Sequence, residues 1–343
     1  MPVLVPPIAP MLARLARALP EPGAGDVVFE PKWDGFRCLA FVHRGEVDLR
    51  SRNDRPLARY FPEVVEALAD LTDDAVLDGE LVACRDGQPD FPALLARLHP
   101  AETRVRRLAV ETPATLLAFD LLATGDEDLR EAPFASRRRR LEQLVGIAPH
   151  GVVQLSDVTG DRERAFGWLH AGPRAGIDGV VVKELGDPYV PGGRVMVKVK
   201  LDRTADCVVA GFRWRGDNDG VSSLLLGLHD DEGVLHHVGA TGSMGKHVRR
   251  EVTATLAPLV RDDLTGHPWE HGFALEGGPQ GRLKGSAGRW TPDQPRDWFA
   301  VDPVLVCEVG YDQLDGHRFR HPARFRHWRP DRDAASCHLG QLA

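Results

Sequence analysis

The sequence predicts an α+β protein of two domains, a mixed first half followed by a β-rich second half that fits a small barrel. Three observations lead there. At 343 residues the chain exceeds the roughly 250–300 at which one hydrophobic core stops growing. Between Val27 and Lys200, short apolar runs alternate with helix-like stretches. After about Asp202 the pattern changes to β-like runs separated by turn clusters, which puts the domains at residues 1–202 and 203–343.

Taken in order, the Pro-flanked segment from Pro2 to Pro22 is expected to pack a short helix, Met11 to Leu19, against the first domain. The runs Val27-Val28-Phe29, Ala75-Val76-Leu77, Thr115 to Phe119 and Val180-Val181-Val182 read as strands. Phe91, Leu94, Leu95 and Leu98 follow the spacing of one buried helical face. In the second half, strands are expected at Cys207 to Phe212, Ser222 to Leu228, Val234 to Val238 and Val304 to Tyr311. A helix from about Lys246 to Leu259 and a Gly/Pro-rich segment from Gly266 to Pro295 interrupt them. Five strands, one inserted helix and a long loop suit a Greek-key barrel of OB type.

Composition narrows the function classes. With 43% apolar and 27% charged residues the chain is of average globular make-up, so disorder does not dominate. No basic segment precedes an apolar core at the N-terminus, and no apolar stretch approaches the roughly 18 residues that span a bilayer, so a cytoplasmic protein without membrane contact is expected. The cysteines, Cys38, Cys84, Cys207, Cys307 and Cys337, are odd in number and contain no C-x-x-C pair, which argues for reduced thiols. A net charge of −7 excludes coating of nucleic acid by bulk electrostatics, so any such surface must be local. Two basic runs are candidates. Arg137 to Arg140 read as a solvated helix face. Arg318, Arg320, Arg324, Arg326, Arg329 and Arg332 alternate with Phe319, Phe325 and Trp328, a pattern suited to phosphates and stacking.

The stretch from Glu30 to Arg37, E-P-K-W-D-G-F-R, carries the most chemistry. If Val28 to Lys32 is extended, alternation puts Glu30 and Lys32 on one face, and Asp34-Gly35 supplies a turn in which Gly can take a positive φ. An acid, an amine and Arg37 then converge, either on a ligand or as a surface ion-pair cluster. The same alternation pairs Lys198 with Lys200, against Val197 and Val199, and Asp78 with Glu80.

Lys32 to Arg37 reads as K-x-D-G-x-R and resembles the nucleophile motif of the covalent nucleotidyltransferases, the superfamily of DNA ligases, RNA ligases and messenger-RNA capping enzymes. Further elements follow in register: Ser51-Arg52-Asn53, Asp78-Gly79-Glu80, Phe119-Asp120, Asp178 to Lys183, Lys198-Val199-Lys200 and Arg329-Pro330-Asp331-Arg332. Pro31 to Arg37, Ser51 to Phe61, His99 to Arg104 and Thr204 to Gly211 are similar to the C type of small ATP-dependent ligases of actinobacteria. The resemblance implies a mixed antiparallel-sheet nucleotidyltransferase (adenylation) domain and an OB-fold domain, without the extra N-terminal DNA-binding domain of larger ligases.

It also implies roles. Lys32 would take AMP from ATP, pass it to the 5′-phosphate at a nick, and leave the 3′-hydroxyl to close the bond. Glu80 and Asp178 would lie around Mg²⁺, with Mn²⁺ a possible substitute. Many relatives have Glu in place of Asp178, so coordination there is either direct or through water. Phe119 would stack on adenine and Glu30 read its amino group, while Arg37 and Arg52 would contact ribose, phosphates and later DNA. Lys183 would contact phosphate or adenylate. Lys198 and Lys200 would lower the pKa of Lys32, which near 10.4 leaves the amine protonated, and stabilise the α-phosphate. Arg329 and Asp331 would orient the leaving pyrophosphate, although Arg332 replaces the Lys that usually ends that motif. Arg324 and Arg326 are the expected DNA contacts.

These expectations describe a monomeric, nucleoid-associated DNA ligase acting on nicked double-stranded DNA, with DNA repair or end-joining proteins as partners. An RNA ligase or capping-type enzyme would differ in labelling by GTP. A noncatalytic DNA-end-binding module would lack a lysine or carboxylate of the series, and none is missing.

Overall fold

The computed structural model describes residues 2–21, 26–71, 73–85, 88–146, 151–216, 220–270 and 298–342. They form two compact units, Met1–Leu201 and Asp202–Ala343.

The first unit is built on two mainly antiparallel sheets. The smaller joins β1 (Ala13–Ala16), β2 (Val27–Trp33), β8 (Ile177–Glu184) and β9 (Met196–Val199) in the order β1-β9-β8-β2. The larger orders β4 (Glu46–Ser51), β3 (Phe36–His43), β5 (Ala75–Arg85) and β6 (Ala114–Thr124), with β7 (Val153–Leu155) added parallel to β6. Side-chain alternation decides the layers. In β3, Cys38, Ala40 and Val42 face a core capped by α1 (Pro62–Ala69), α2 (Phe91–Ala96) and α4 (Phe134–Gly146), with α3 (Glu102–Glu111) packed beside α1. Leu39 and Phe41 face the other way and meet Met11 of the N-terminal segment and Val181 and Met196 of the smaller sheet. Behind that sheet, Phe29, Val180, Val182 and Val199 pack on Ala165 and Leu169 of α5 (Arg162–Ala171). The apolar layer between the sheets stops short, and the even-numbered residues of β2 and β9 that continue it are Glu30, Lys32 and Lys198. A charged pocket thus follows from strand alternation at the end of an apolar seam.

The second unit is an antiparallel half-barrel of five strands in the order β12-β11-β10-β13-β14: β10 is Arg203–Trp214, β11 Val221–His229, β12 Leu235–Ala240, β13 Phe299–Tyr311 and β14 Arg324–Trp328. Register shifts at Val209/Gly211, Leu226/Gly227 and Glu308/Val309 are the bulges that curve such a sheet. The helix Lys246–Leu256, which follows β12, closes its core with Val252 and Leu256. This is the α+β class expected, a mixed antiparallel domain and an OB-type domain. Among the described residues no helix is long and apolar enough to cross a membrane, and all five cysteines are free.

Three local expectations need correction. Met11 to Leu19 is not a helix. Ala13–Ala16 pairs in parallel with Met196–Val199, because Met11 and Leu19 bury in different cores and leave Leu15 65% exposed, so no single helical stripe exists. The helix at Phe91 ends at Ala96, and Leu95 points to solvent. Arg137 to Arg140 are not a solvated face: Arg137 is fully buried and Arg138 nearly so. The Gly/Pro-rich segment lies almost wholly outside the described residues.

Candidate active site

Lys32 stands at the end of β2, where Pro31 and Glu30 pair with Val180 and Val181 of β8. The chain then turns through Asp34-Gly35 into β3. Gly35 is not in the positive-φ region. It is needed for close approach, since a Cβ there would lie 2.1 Å from the carbonyl oxygen of Leu81. That contact seats the turn between β2 and β3 against β5 with Glu80 beside it, and Lys32 is close enough to act on the Glu80 carboxyl.

The Lys32 and Lys200 ammonium groups both donate to Asp178 Oδ2 at 2.7 Å. Burial opposes charge on Asp178, yet the two lysines hold its carboxyl below the usual range. Its second oxygen, Oδ1, is buried without a hydrogen-bond partner. Lys198, opposite Val181 in the β8–β9 ladder, has its amine pushed down by burial and then by the charges of Lys32 and Lys200. Arg52 is exposed just beyond β4 and adds to the field at Lys198. Glu80 has its carboxyl raised to about 7, by burial against the pull of Lys32 and Arg37 and with Asp78 and Asp34 adding to the rise.

Arg37 is placed differently from a free ligand contact. Its guanidinium grips both oxygens of Asp78 at 2.5 Å, donates to the Met11 carbonyl at 3.3 Å and lies 4.6 Å from the Phe119 ring centroid. The Tyr189 hydroxyl donates to Asp78 at 2.6 Å and accepts from the Met11 amide at 3.0 Å. Phe119 is half-buried, with Arg37 and the Lys183 ammonium near its ring. Glu30 is buried and ion-paired to Lys183 at 2.9 Å, and Lys183 reaches the Phe119 carbonyl at 3.2 Å. The structure therefore brings Glu30, Lys32, Arg37, Glu80, Phe119, Asp178, Lys183, Lys198 and Lys200 together in the first unit. Sequence reasoning missed Tyr189 and Met11, for which no local pattern signals a role, and the buried pairing of Asp120 with Arg137 at 2.7 Å.

In the second unit, Arg329 is held by Asp206 at 2.9 Å and by Asp331 at 2.8 Å. Arg324 lies 3.4 Å from Asp312, and Arg326 pairs with Asp202 and Glu308.

Among the described residues no three His, Cys, Asp or Glu groups cluster as a metal cage. The unpartnered Asp178 oxygen and the Glu80 carboxylate nonetheless fit Mg²⁺, which commonly takes one or two carboxylates and completes its shell with phosphate oxygens and water.

A lysine flanked by two further lysines and two acids, on the face of an adenylation-type fold followed by an OB-type unit, defines the class of nucleotide-transferring enzymes. Residues 6–200 match the ATP dependent DNA ligase domain, and residues 217–332 the ATP dependent DNA ligase C terminal region. The chain is 46% identical to DNA ligase C2 of Mycolicibacterium smegmatis, covering 100% of this chain and 96% of that relative. It is 43% identical to DNA ligase C of Mycobacterium tuberculosis, covering 99% and 94%. A solved structure from a study of Lig E DNA ligases matches in fold, with a TM-score of 0.53 at 17% identity, over 93% of this chain and 99% of that one. The chain belongs to the ATP-dependent DNA ligases, and within them to the C type of actinobacteria.

Proposed function

We propose that this protein seals nicks in double-stranded DNA in three transfers of one phosphoryl centre after another. The Lys32 amine attacks the α-phosphorus of ATP and pyrophosphate leaves. A 5′-phosphate oxygen of the nick then takes the AMP from Lys32. The 3′-hydroxyl attacks that 5′-phosphorus, closing the backbone and releasing AMP. The observation that carries this reading is the sharing of Asp178 by Lys32 and Lys200, with Lys198 and Glu80 beside them.

To attack, the Lys32 amine needs a free lone pair, so its hydrogen bond to Asp178 gives way first and its proton passes to solvent; Lys198 and Lys200 then serve the charge growing on the phosphate. Glu80 and Asp178 are the residues that would hold Mg²⁺, which would supply further positive charge against the phosphates. Phe119 and Glu30 would receive adenine. Arg329 and Asp331, Arg324 and Arg326 are assigned to the OB-type domain's part in pyrophosphate departure and DNA contact. Residues 1–202 would then be the adenylation domain and 203–343 the OB-fold domain. Repair, as in excision or end joining, is the cellular task proposed.

Incubation with α-labelled ATP and Mg²⁺ tests the reading directly. Wild type is expected to take up label that nicked DNA discharges as sealed product appears, and Lys32→Ala to take up none. Equal labelling of the two proteins would remove Lys32 from the mechanism.

A further inference from the structure

A run of alternating buried charges crosses the first unit from β2 to α4. Glu30 Oε2 meets Lys183 Nζ at 2.9 Å, Lys183 lies 3.9 Å from Asp120 Oδ2, and Asp120 is gripped by Arg137 at 2.7 and 3.1 Å. The four residues are 3%, 4%, 1% and 0% exposed. The ammonium of Lys183 also stands 4.3 Å from the Phe134 ring centroid and 5.1 Å from that of Phe119, and donates to the Phe119 carbonyl. A carboxylate, a carbonyl and two aromatic faces thus take up its charge, which makes it a poor candidate for gripping phosphate. The other Glu30 oxygen, Oε1, is buried with no hydrogen-bond partner. Such an oxygen is costly unless a donor arrives.

The two purines differ at the position an acceptor would read. Adenine offers an exocyclic amine, a donor, whereas guanine offers a carbonyl, which an anion repels. We propose that Lys183 is a positioning residue for nucleotide choice: it holds Glu30 ionised, with Oε1 left to accept, so that the site takes a 6-amino purine and rejects a 6-oxo purine. This rests on the reading that the base lies between Glu30 and Phe119. The Asp120–Arg137 pair anchors Lys183 from behind, so its ammonium stays beside Glu30. Without Lys183, Glu30 would be buried beside Asp120 with too little positive charge, and it would take up a proton. A neutral carboxyl can donate to the guanine carbonyl as well as accept from adenine, and the choice is lost.

The test measures formation of labelled protein from α-labelled ATP and from α-labelled GTP, as kcat/KM for each. Wild type should prefer ATP by on the order of 100-fold or more, as sites built around a hydrogen bond do. Lys183→Met should cut that ratio at least about tenfold, partly by gaining GTP use, while Lys183→Arg should keep it within about threefold. Because Lys183→Met could unfold the domain, the charge-balanced double variant Glu30→Gln/Lys183→Met is compared with Glu30→Gln alone. If Lys183 acts only through Glu30, the two share the same ATP:GTP ratio and the same ATP KM within about threefold. A double variant that loses both nucleotides about 100-fold beyond Glu30→Gln would mean direct nucleotide contact and overturn the proposal. So would a Lys183→Met protein slowed equally with ATP and GTP. Wild type that takes label from neither nucleotide would instead sink the ligase reading on which the proposal stands.

Discussion

Burial pushes the Glu80 carboxyl up to about 7 although Lys32 and Arg37 pull it down, so its charge changes within the working range of an enzyme. Below about pH 4.5 both folded and unfolded chains hold this proton. Between about 4.5 and 7 the unfolded chain releases it first, the folded form binds more protons, and stability falls as pH rises through that window. In metal-free buffer, Glu80→Gln should therefore gain on the order of 1–2 kcal/mol over wild type between pH 5 and pH 8, after allowance for solvent near the site. Thermal unfolding across that range measures it, and parallel pH slopes would place the carboxylate in water. Added Mg²⁺, which needs the ionised form, should shrink the difference at pH 8. That Glu30 and Lys32 share a face was legible from alternation along one strand. That Arg37 spends its guanidinium on Asp78 and the Met11 carbonyl was not, because those partners lie 41 and 26 positions away in sequence and no local pattern marks them.

At the scale of elements, glycines decide how closely the strands of the site approach. Gly179 has φ +149°, and a Cβ there would lie 2.3 Å from the Val199 carbonyl oxygen. Both conditions exclude a side chain. Gly179→Ala should cost about 3 kcal/mol or more, read as a fall in melting temperature, because the β8–β9 pairing that carries Asp178 and Lys198, with Lys200 just beyond it, must open. Gly186→Ala, with nothing within 4 Å of its Cβ, is the control. A Gly179→Ala protein that melts with wild type would mean the strands are not this close. The strands around the site were legible because short β-branched and apolar runs such as Val27-Val28-Phe29 and Val180-Val181-Val182 stand apart from the helix-like stretches between them. The segment Ala13–Ala16 was not, since it is a strand only by virtue of pairing with Met196–Val199. Arg137 shows the same limit for charge. A run of four arginines reads as solvated, but one of them found Asp120 and two carbonyls inside the fold.

For the molecule as a whole, a net charge of −7 requires that DNA be met by local basic groups. In the second unit these groups already have carboxylate neighbours: Arg324 has Asp312, Arg326 has Asp202 and Glu308, Arg329 has Asp206 and Asp331, and Arg332 has Asp206 at 3.4 Å. As the proposed DNA contacts, Arg324 and Arg326 would each exchange a carboxylate for a phosphate, which would favour selectivity over bulk affinity. Replacing both Arg324 and Arg326 by Ala should reduce the slope of log affinity for nicked DNA against log salt by about 1–2. An unchanged slope would move the DNA surface elsewhere. The order of motifs, the alternation within strands and the change of pattern after Asp202 determined the family, the two kinds of domain and the face on which Lys32 lies, because those properties are encoded by neighbours in the chain. Only the tertiary structure decided that Asp178 is shared by Lys32 and Lys200, that Arg37 is clamped by Asp78, and that Lys183 is ion-paired with Glu30. Pairings of buried charge depend on which distant strands meet and on how much water they exclude, and neither quantity is written in any local stretch of sequence.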